Sequence, residues 1–356
     1  MLNELEKLSK YDAKNKNIRV AVAMSGGVDS STVAYLLKKQ GYDVFGVTMK
    51  TCKAEDSDAK KVCEDLGIDY YLYDATESFK TKVIDVFVNE YVSGRTPNPC
   101  MVCNRHVKFG ELLEFARSKG ADFMATGHYA KIIDGTLAIG DDPKKDQVYF
   151  LSGIKRENIK YIMFPIGDLE KTLVRGLAEE LGVRVYAKKD SQEICFVDDG
   201  KLGEFLIDRS AGKAAKPGDI VDTKGKVLGK HKGISFYTIG QRKGLGIPGE
   251  NPLYVVELNA EKNQVIVGSN EELFKNKIVA NQLNFLTVNS LEELRSQEVF
   301  VKTRSRDMLH SCKIEVLGED EIEVTMINEK VRAVTPGQGI VFYDKIGRVV
   351  ASGFIK

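Results

Sequence analysis

The chain lacks a long apolar run: nothing in it approaches the ~18 residues that would suggest a membrane-spanning helix. Its opening residues, MLNELEKLSKYDAKNKN, are charged throughout and contain no apolar core of a signal peptide. Together these features read as a cytoplasmic protein with no membrane partner. It also lacks an excess of either charge: 52 Lys and Arg face 51 Asp and Glu, a net +1. Overall charge therefore says nothing about nucleic acid, and local distribution has to. Repeats and low-complexity tracts are absent. Six cysteines are present, at 52, 63, 100, 103, 195 and 312. In a cytosolic chain they are poor candidates for structural disulfides, which leaves metal, redox or nucleophilic roles, or inert buried thiols.

What is there is enough for two or three domains: 356 residues, 43% of them hydrophobic. The first half alternates. Apolar strands read at 18–24, 42–49, 69–75 and 122–129. Helical patterns read at Ser30–Gln40, Asp56–Leu66, Glu77–Val92, Val107–Lys119 and Leu169–Leu181. Solidly apolar strands alternating with helices predict an α/β parallel sheet with helices on both faces. From about Lys201 the pattern changes to short alternating strands with glycine turns. These predict a small β-rich central domain and a C-terminal β-barrel. The expected domains are residues 1–200, 201–272 and 273–356.

The stretch AVAMSGGVDSSTVAYLLKK, residues 21–39, joins the first strand to its helix through two glycines and a cluster of hydroxyl and carboxylate groups. At the carboxyl end of a parallel strand, successive backbone N–H groups form an anion-binding nest, reinforced by the helix dipole. Gly26 and Gly27 admit a phosphate close to backbone. Ser25, Ser30 and Ser31 can donate to it, and Asp29 can hold Mg²⁺ or orient the loop. A simple cap by Asp29 or Ser30 would explain one of these residues rather than all. No Gly-Lys-Ser/Thr follows, so this is not a Walker loop. The one G-x-G-x-x-G, residues 244–249, opens no helix and is rejected as a dinucleotide site.

GRTPNPCMVCNRHVKF, residues 94–109, carries one C-x-x-C, with a helix expected shortly after Cys103. A thiol at a helix N-terminus is more acidic than usual. Zinc lacks a second cysteine pair. A deaminase lacks the upstream H-x-E, since the first histidine is His106. A thioredoxin-like redox pair would not need the anion-binding loop. The fourth reading is sulfur chemistry, with a nucleophilic or cluster-binding thiol. Cys195, in KKDSQEICFV, residues 188–197, reads by itself as a small hydrophobe between Ile194 and Phe196. The same reading fits Cys52, Cys63 and Cys312 better still. Residues 213–243 hold eight Lys and Arg against two Asp, with Phe236 and Tyr237 interleaved. Such a stripe suits phosphate neutralisation on a nucleic acid as well as it suits a solvated hairpin.

The glycine string resembles the S-G-G-x-D-S loop of the ATP pyrophosphatases. With GVTMK, GRTPNPCMVCNRHVKF, ATGHYAKI, KDQVYFL, FPIGDLEKTLVR, KKDSQEICFV and the run from Gly218 to Ile247, nearly the whole chain resembles the tRNA-specific 2-thiouridylase family. The resemblance implies an α/β domain of ATP-pyrophosphatase type. It further implies that ATP, with Mg²⁺, adenylates the carbon-2 oxygen of the wobble uridine in tRNAs for Lys, Glu and Gln, after which sulfur displaces AMP. Ala23, Met24, Ser25, Gly26, Gly27, Val28, Asp29 and Ser30, with Met49 and Gly127, would hold the nucleotide. Cys195 would carry a persulfide, and Cys103 would release its sulfur by forming a disulfide with Cys195. Asn98, Pro99 and Cys100 would face the target base. His128, Lys145, Asp146, Gln147, Arg304, Ser305 and Gln338 would contact tRNA. A cysteine desulfurase or a sulfur-relay protein would supply sulfur. Many members have Asp where this chain has Cys100. Cys100, Cys103 and Cys195 therefore also make a three-thiolate set suited to a four-iron–four-sulfur cluster, and the relay and cluster mechanisms both stand open. A relative acting on another acceptor, such as an amide ligase, is the alternative enzyme. A binding module without catalysis and a zinc-stabilised RNA-binding protein are the rivals outside that class.

Overall fold

In a computed structural model of the chain, residues 7–52, 57–188, 194–248 and 251–356 are described. Residues 1–6 of the charged opening, Asp56 of the second expected helix, 189–193 of the string before Cys195 and Gly249 of the rejected glycine motif lie outside them. Among the described residues no helix is long and apolar enough to cross a membrane. The chain packs as two compact units, each drawing on several stretches. The first takes residues 1–80, 100–192 and 346–349; the second takes 81–99, 193–345 and 350–356.

The first unit is built on a five-stranded sheet. Its strands are β1 (Arg19–Ala23), β2 (Asp43–Lys50), β3 (Tyr70–Asp74), β4 (Phe123–Ala125) and β7 (Ile162–Met163), in the order β3-β2-β1-β4-β7. Every pair is parallel. Val20, Ala21 and Val22 are all fully buried, which a strand achieves only when both its faces are covered. Val20 and Val22 pack with α1 (Val28–Lys39) and α2 (Ser57–Leu66) through Val33, Ala34, Leu37, Ala59 and Val62. The remaining strands of this unit, β5 (Ala130–Ile133) and β6 (Thr136–Ile139), form a hairpin. The returning segment 346–349 straps it: Ile139 N–H donates to Gly347 O, and Arg348 pairs with Asp134 at 2.7 Å.

The helix through the C-x-x-C differs from the expected one. It starts at Pro99, with α4 (Pro99–Cys103) running into a π-wound stretch, Asn104–Glu111, and on into Leu112–Ser118. Proline is well suited to a first helical position, where its missing N–H costs nothing. Cys100 and Cys103 thus lie within the first two turns of the helix rather than ahead of it. The expected helix Glu77–Val92 is likewise interrupted by a π-wound stretch, Lys80–Ile84.

In the second unit β8 (Gly218–Asp222), β9 (Val227–His231), β10 (Tyr254–Asn259) and β11 (Gln264–Gly268) form one sheet, ordered β10-β11-β8-β9. Its core is Ile220, Ile234, Tyr237, Leu245, Val255, Val265 and Val267. A short pair, β12 (Phe274–Lys275) with β17 (Val331–Arg332), lies beside a closed six-stranded barrel. The barrel runs β13 (Lys277–Phe285), β16 (Glu321–Met326), β15 (His310–Gly318), β14 (Phe300–Lys302), β18 (Gly339–Tyr343), β19 (Val349–Ile355). Closure leaves no strand edge open, and inward residues such as Val301, Ile322, Val324, Ile340 and Phe342 fill it.

Candidate active site

The strand order 3-2-1-4 reverses direction between β1 and β4. In open parallel sheets ligands bind at that switch point, outside the carboxyl ends of the strands. The glycine loop leaves β1 there. Beside it lie Met49 at the end of β2 and Gly127 just past β4. Gly26 takes φ +67°, a left-handed turn that glycine adopts without strain. Helix α1 starts at Val28, two residues earlier than expected. Its N-cap is Gly27, and no side chain caps it. The alternative of a simple cap by Asp29 or Ser30 thereby fails, and the first turn presents its N–H groups without a side-chain acceptor. Ser30 Oγ instead accepts from Ser25 N–H at 3.1 Å and bonds Ser25 Oγ at 3.2 Å, drawing the loop closed. Ser31 Oγ donates to Gly27 O at 2.9 Å. Thr48 Oγ1 donates to Met24 O at 3.1 Å, tying β2 to the loop.

Asp29 is occupied. Lys171 Nζ reaches both its carboxylate oxygens at 2.7 Å, and Tyr129 Oη donates to Oδ1 at 2.9 Å. Lys171 opens the helix Lys171–Glu180, here α6 after α5 (Leu112–Ser118), and its side chain is only 8% exposed. Its N–H donates to Asp142 Oδ2 at 3.0 Å. Backbone donors, Lys171 N–H foremost, hold the Asp142 carboxyl below the usual carboxylate range. Neither Lys171, Tyr129 nor Asp142 was picked out from the sequence. The partners of Lys171 and Asp29 are 142 residues apart, and no local spacing encodes such a pair. Lys188 Nζ adds a bond to Gly26 O at 2.9 Å and pairs with Asp58.

Gly127 serves this loop directly. A Cβ there would stand 2.7 Å from Asp29 C and from Ser30 N. Its neighbour His128 is half-buried between Phe109 and Phe164, with Thr126 Oγ1 2.6 Å from Nδ1 and Lys108 Nζ 3.4 Å from Nε2. Burial, then the nearby Lys108 charge, hold its pKa well below 6.5, so the ring is neutral at physiological pH. As an RNA contact it would offer a hydrogen bond, not a charge. Of the Lys145–Gln147 group, two side chains are committed within the fold. Asp146 Oδ1 accepts from Gly140 N–H, and Gln147 Oε1 accepts from Tyr129 N–H, both at 3.0 Å.

Cys100 is exposed and Cys103 partly so, one helical turn apart. In the second unit Cys195 is exposed while Phe196 beside it is buried against Phe87 at 5.2 Å. The small-hydrophobe reading therefore fails for Cys195. It fails also for Cys52, which is exposed, and holds for Cys63 and Cys312. Burial pushes those two thiols up, to about 11 and about 12. Among the described residues no group of three or more His, Cys, Asp or Glu is placed to hold a metal ion. Cys100 and Cys103 belong to the first unit and Cys195 to the second. Mg²⁺ is a different case: it commonly takes one or two carboxylates plus substrate phosphates, and Asp29 beside the loop fits that donor set.

The other expected RNA contacts lie in the second unit. Arg304 Nη2 donates to Arg332 O at 2.9 Å and to Ala333 O. With Arg306, Lys330 and Arg332 it lines a basic cavity of about 340 Å³, and Ser305 lies half-exposed between the two arginines. Gln338 Nε2 donates to Thr96 O at 2.9 Å and Pro97 O at 3.2 Å, fixing the backbone that leads into Asn98 and Pro99. Asn98 is buried. All eight cations of the 213–243 stripe are exposed, but Tyr237 is a core residue and Phe236 packs against that core. The interleaved aromatics therefore stabilise the sheet and are not presented for base stacking.

Known proteins resemble this chain along its full length. The family model described as tRNA methyl transferase HUP domain matches residues 18–199. Those described as tRNA methyl transferase PRC-barrel domain and aminomethyltransferase beta-barrel domain match 204–269 and 275–355. The tRNA-specific 2-thiouridylase MnmA 1 of Fusobacterium nucleatum subsp. nucleatum is 64% identical over 99% of this chain and 97% of its own. The tRNA-specific 2-thiouridylase MnmA of Clostridium beijerinckii is 44% identical over 95% and 98%. Among solved structures, the U34-tRNA thiolase NcsA from Methanococcus maripaludis overlaps 59% of this chain and 69% of its own at 20% identity. Its TM-score of 0.36 is too low to carry an inference about the site. On these whole-length matches, this chain belongs to the tRNA-specific 2-thiouridylase family.

Proposed function

We propose that the chain is a tRNA-uridine 2-sulfurtransferase that activates the wobble uridine of tRNAs for Lys, Glu and Gln with ATP and replaces its carbon-2 oxygen by sulfur. The observation that carries the reading is the 64% identity over 99% of the chain with a 2-thiouridylase. The uncapped helix start at the switch point supports the ATP half of the reaction, and the exposed Cys195 thiol supports the sulfur half.

The uracil carbonyl is a poor electrophile. Attack of its O2 on the α-phosphorus of ATP expels pyrophosphate and makes that oxygen part of an AMP leaving group. The loop N–H groups of 26–30 bind the polyphosphate, and Asp29 and Met49 border it. Mg²⁺, when bound, neutralises phosphate charge. The terminal sulfur of a Cys195 persulfide then attacks carbon 2, and AMP departs with the oxygen. The Cys103 thiolate attacks the Cys195 sulfur and breaks the S–S bond, leaving 2-thiouridine and a Cys103–Cys195 disulfide. Two electrons from a thiol reductant reset the pair, and a desulfurase or relay protein reloads Cys195.

Asn98, Pro99 and Cys100 are the base-facing residues in this reading, and the 213–243 stripe and the Arg304–Ser305 cavity are the phosphate-backbone contacts. The folding domains proposed are 1–200, 201–272 and 273–356, a division supported by the matched spans 18–199, 204–269 and 275–355. The test is thiolation of unmodified tRNA-Lys transcript with Mg–ATP and a sulfur source, using iron-free and iron-loaded protein, read as 2-thiouridine by mass spectrometry. Product from iron-free protein supports the persulfide route. Product only from iron-loaded protein replaces that route with a cluster on Cys100, Cys103 and Cys195. ATP cleavage without product in either overturns the choice of acceptor.

A further inference from the structure

A lysine inside an anion-binding nest would be expected to face the anion, yet Lys171 is spent on Asp29. Its ammonium reaches both carboxylate oxygens at 2.7 Å, and the lysine is the more buried partner, 8% exposed against 26%. Its approach is fixed from behind, where Asp142 holds its N–H at the start of α6, and Tyr129 holds the same carboxylate from the side. Asp29 is the second residue of α1, so the pair lies beside the N–H groups that would receive a polyphosphate. A carboxylate repels a polyphosphate unless a cation stands between them. The cation standing on Asp29 is the Lys171 ammonium.

We propose that Lys171 is a nucleotide-binding residue that changes partner: it pairs with Asp29 until Mg²⁺ takes the carboxylate, and then turns to the polyphosphate. The proposal rests on the ATP reading above. It assigns opposite roles to the two charges. Without metal, Asp29 opposes ATP both by repulsion and by retaining Lys171, whereas Lys171 attracts it. A pair that merely braced the loop would give both residues the same sign.

The test is calorimetric titration of the full-length protein with Mg–ATP and with ATP in EDTA. Asp29→Asn should bind metal-free ATP about tenfold more tightly than wild type and Mg–ATP more weakly. Lys171→Met should bind metal-free ATP about tenfold more weakly, and Lys171→Arg should retain that binding. A gain of affinity in Asp29→Asn cannot come from a misfolded protein, so that arm stands whatever the fate of Lys171→Met. Equal weakening of both ligand forms in Asp29→Asn, or unchanged metal-free binding in a folded Lys171→Met, overturns the partner change and leaves the ATP reading intact. Wild type that binds no Mg–ATP overturns both.

Discussion

Gly127→Ala is a one-methyl change that should displace the glycine loop. The added methyl would lie 2.7 Å from Asp29 C and Ser30 N and 2.8 Å from Asp29 Cβ. Carbon atoms pack at about 3.5–4.0 Å, so the loop must retreat by roughly 0.7–1.3 Å. The obstructing atoms are backbone at the first turn of α1, which cannot rotate aside as a flexible side chain would. Overpacking of this kind costs about 1–3 kcal/mol. The larger effect should be on chemistry, because a displacement near 1 Å at a reacting centre can cost about a hundredfold. Pyrophosphate release under saturating tRNA and Mg–ATP is the assay, with calorimetric ATP binding beside it. Gly176→Ala is the matched control. It lies inside α6, its Cβ would meet nothing within 4 Å, and its φ is not left-handed. That substitution should stabilise the protein by about 0.5–1 kcal/mol. Wild-type binding and pyrophosphate release in Gly127→Ala would refute the close-contact reasoning.

Cys103→Ala and Cys195→Ala should each abolish thiolation while leaving ATP binding intact; full thiolation by either would remove that thiol from the mechanism. Asp29→Ala should eliminate pyrophosphate release, and unchanged release would show that the loop is not where ATP is cleaved. Alkylation of native protein at neutral pH, followed by peptide mass spectrometry, should label Cys52, Cys100 and Cys195 and spare Cys63 and Cys312, whose thiols are buried and hard to ionise; early labelling of Cys312 would contradict the barrel packing. In the barrel, burial opposes a charge on His310, but Asp307 and Glu329, each 3.0 Å away, outweigh it and raise its pKa. Since the folded value is above the unfolded one, the stabilisation is full below about pH 6.5 and is lost as pH climbs through the raised value. Urea denaturation should therefore find His310→Gln more costly in mild acid than in mild alkali; equal cost at both would argue against the charged pair.

The β1–loop–α1 unit was legible in sequence because its signals are local: an apolar strand, two glycines, then an amphipathic helix. The same locality explains the misplaced helix start. Asp29 and Ser30 are good capping residues taken alone, but Asp29 is claimed by Lys171 and Ser30 by Ser25, leaving Gly27 at the cap. The helix expected shortly after Cys103 begins instead at Pro99, a residue that fits a first helical position. Alternation located the barrel strands, while the stripe of 213–243 mixed two periodicities: its cations face water and its aromatics face inward. Contacts such as Gln338 with Thr96 span 242 residues and leave no trace in spacing.

The strap over the β5–β6 hairpin has a consequence for synthesis. Asp134 and its partner Arg348 are separated by 214 residues. A ribosome adding about 10 residues per second delivers the strap roughly 20 seconds after the hairpin it covers. The sheet that carries the nucleotide loop therefore begins to form early in translation but acquires its last stretch of chain only after most of the barrel has been made. A truncation anywhere before Ile346 would leave the first unit short of its closing segment, however complete its sheet.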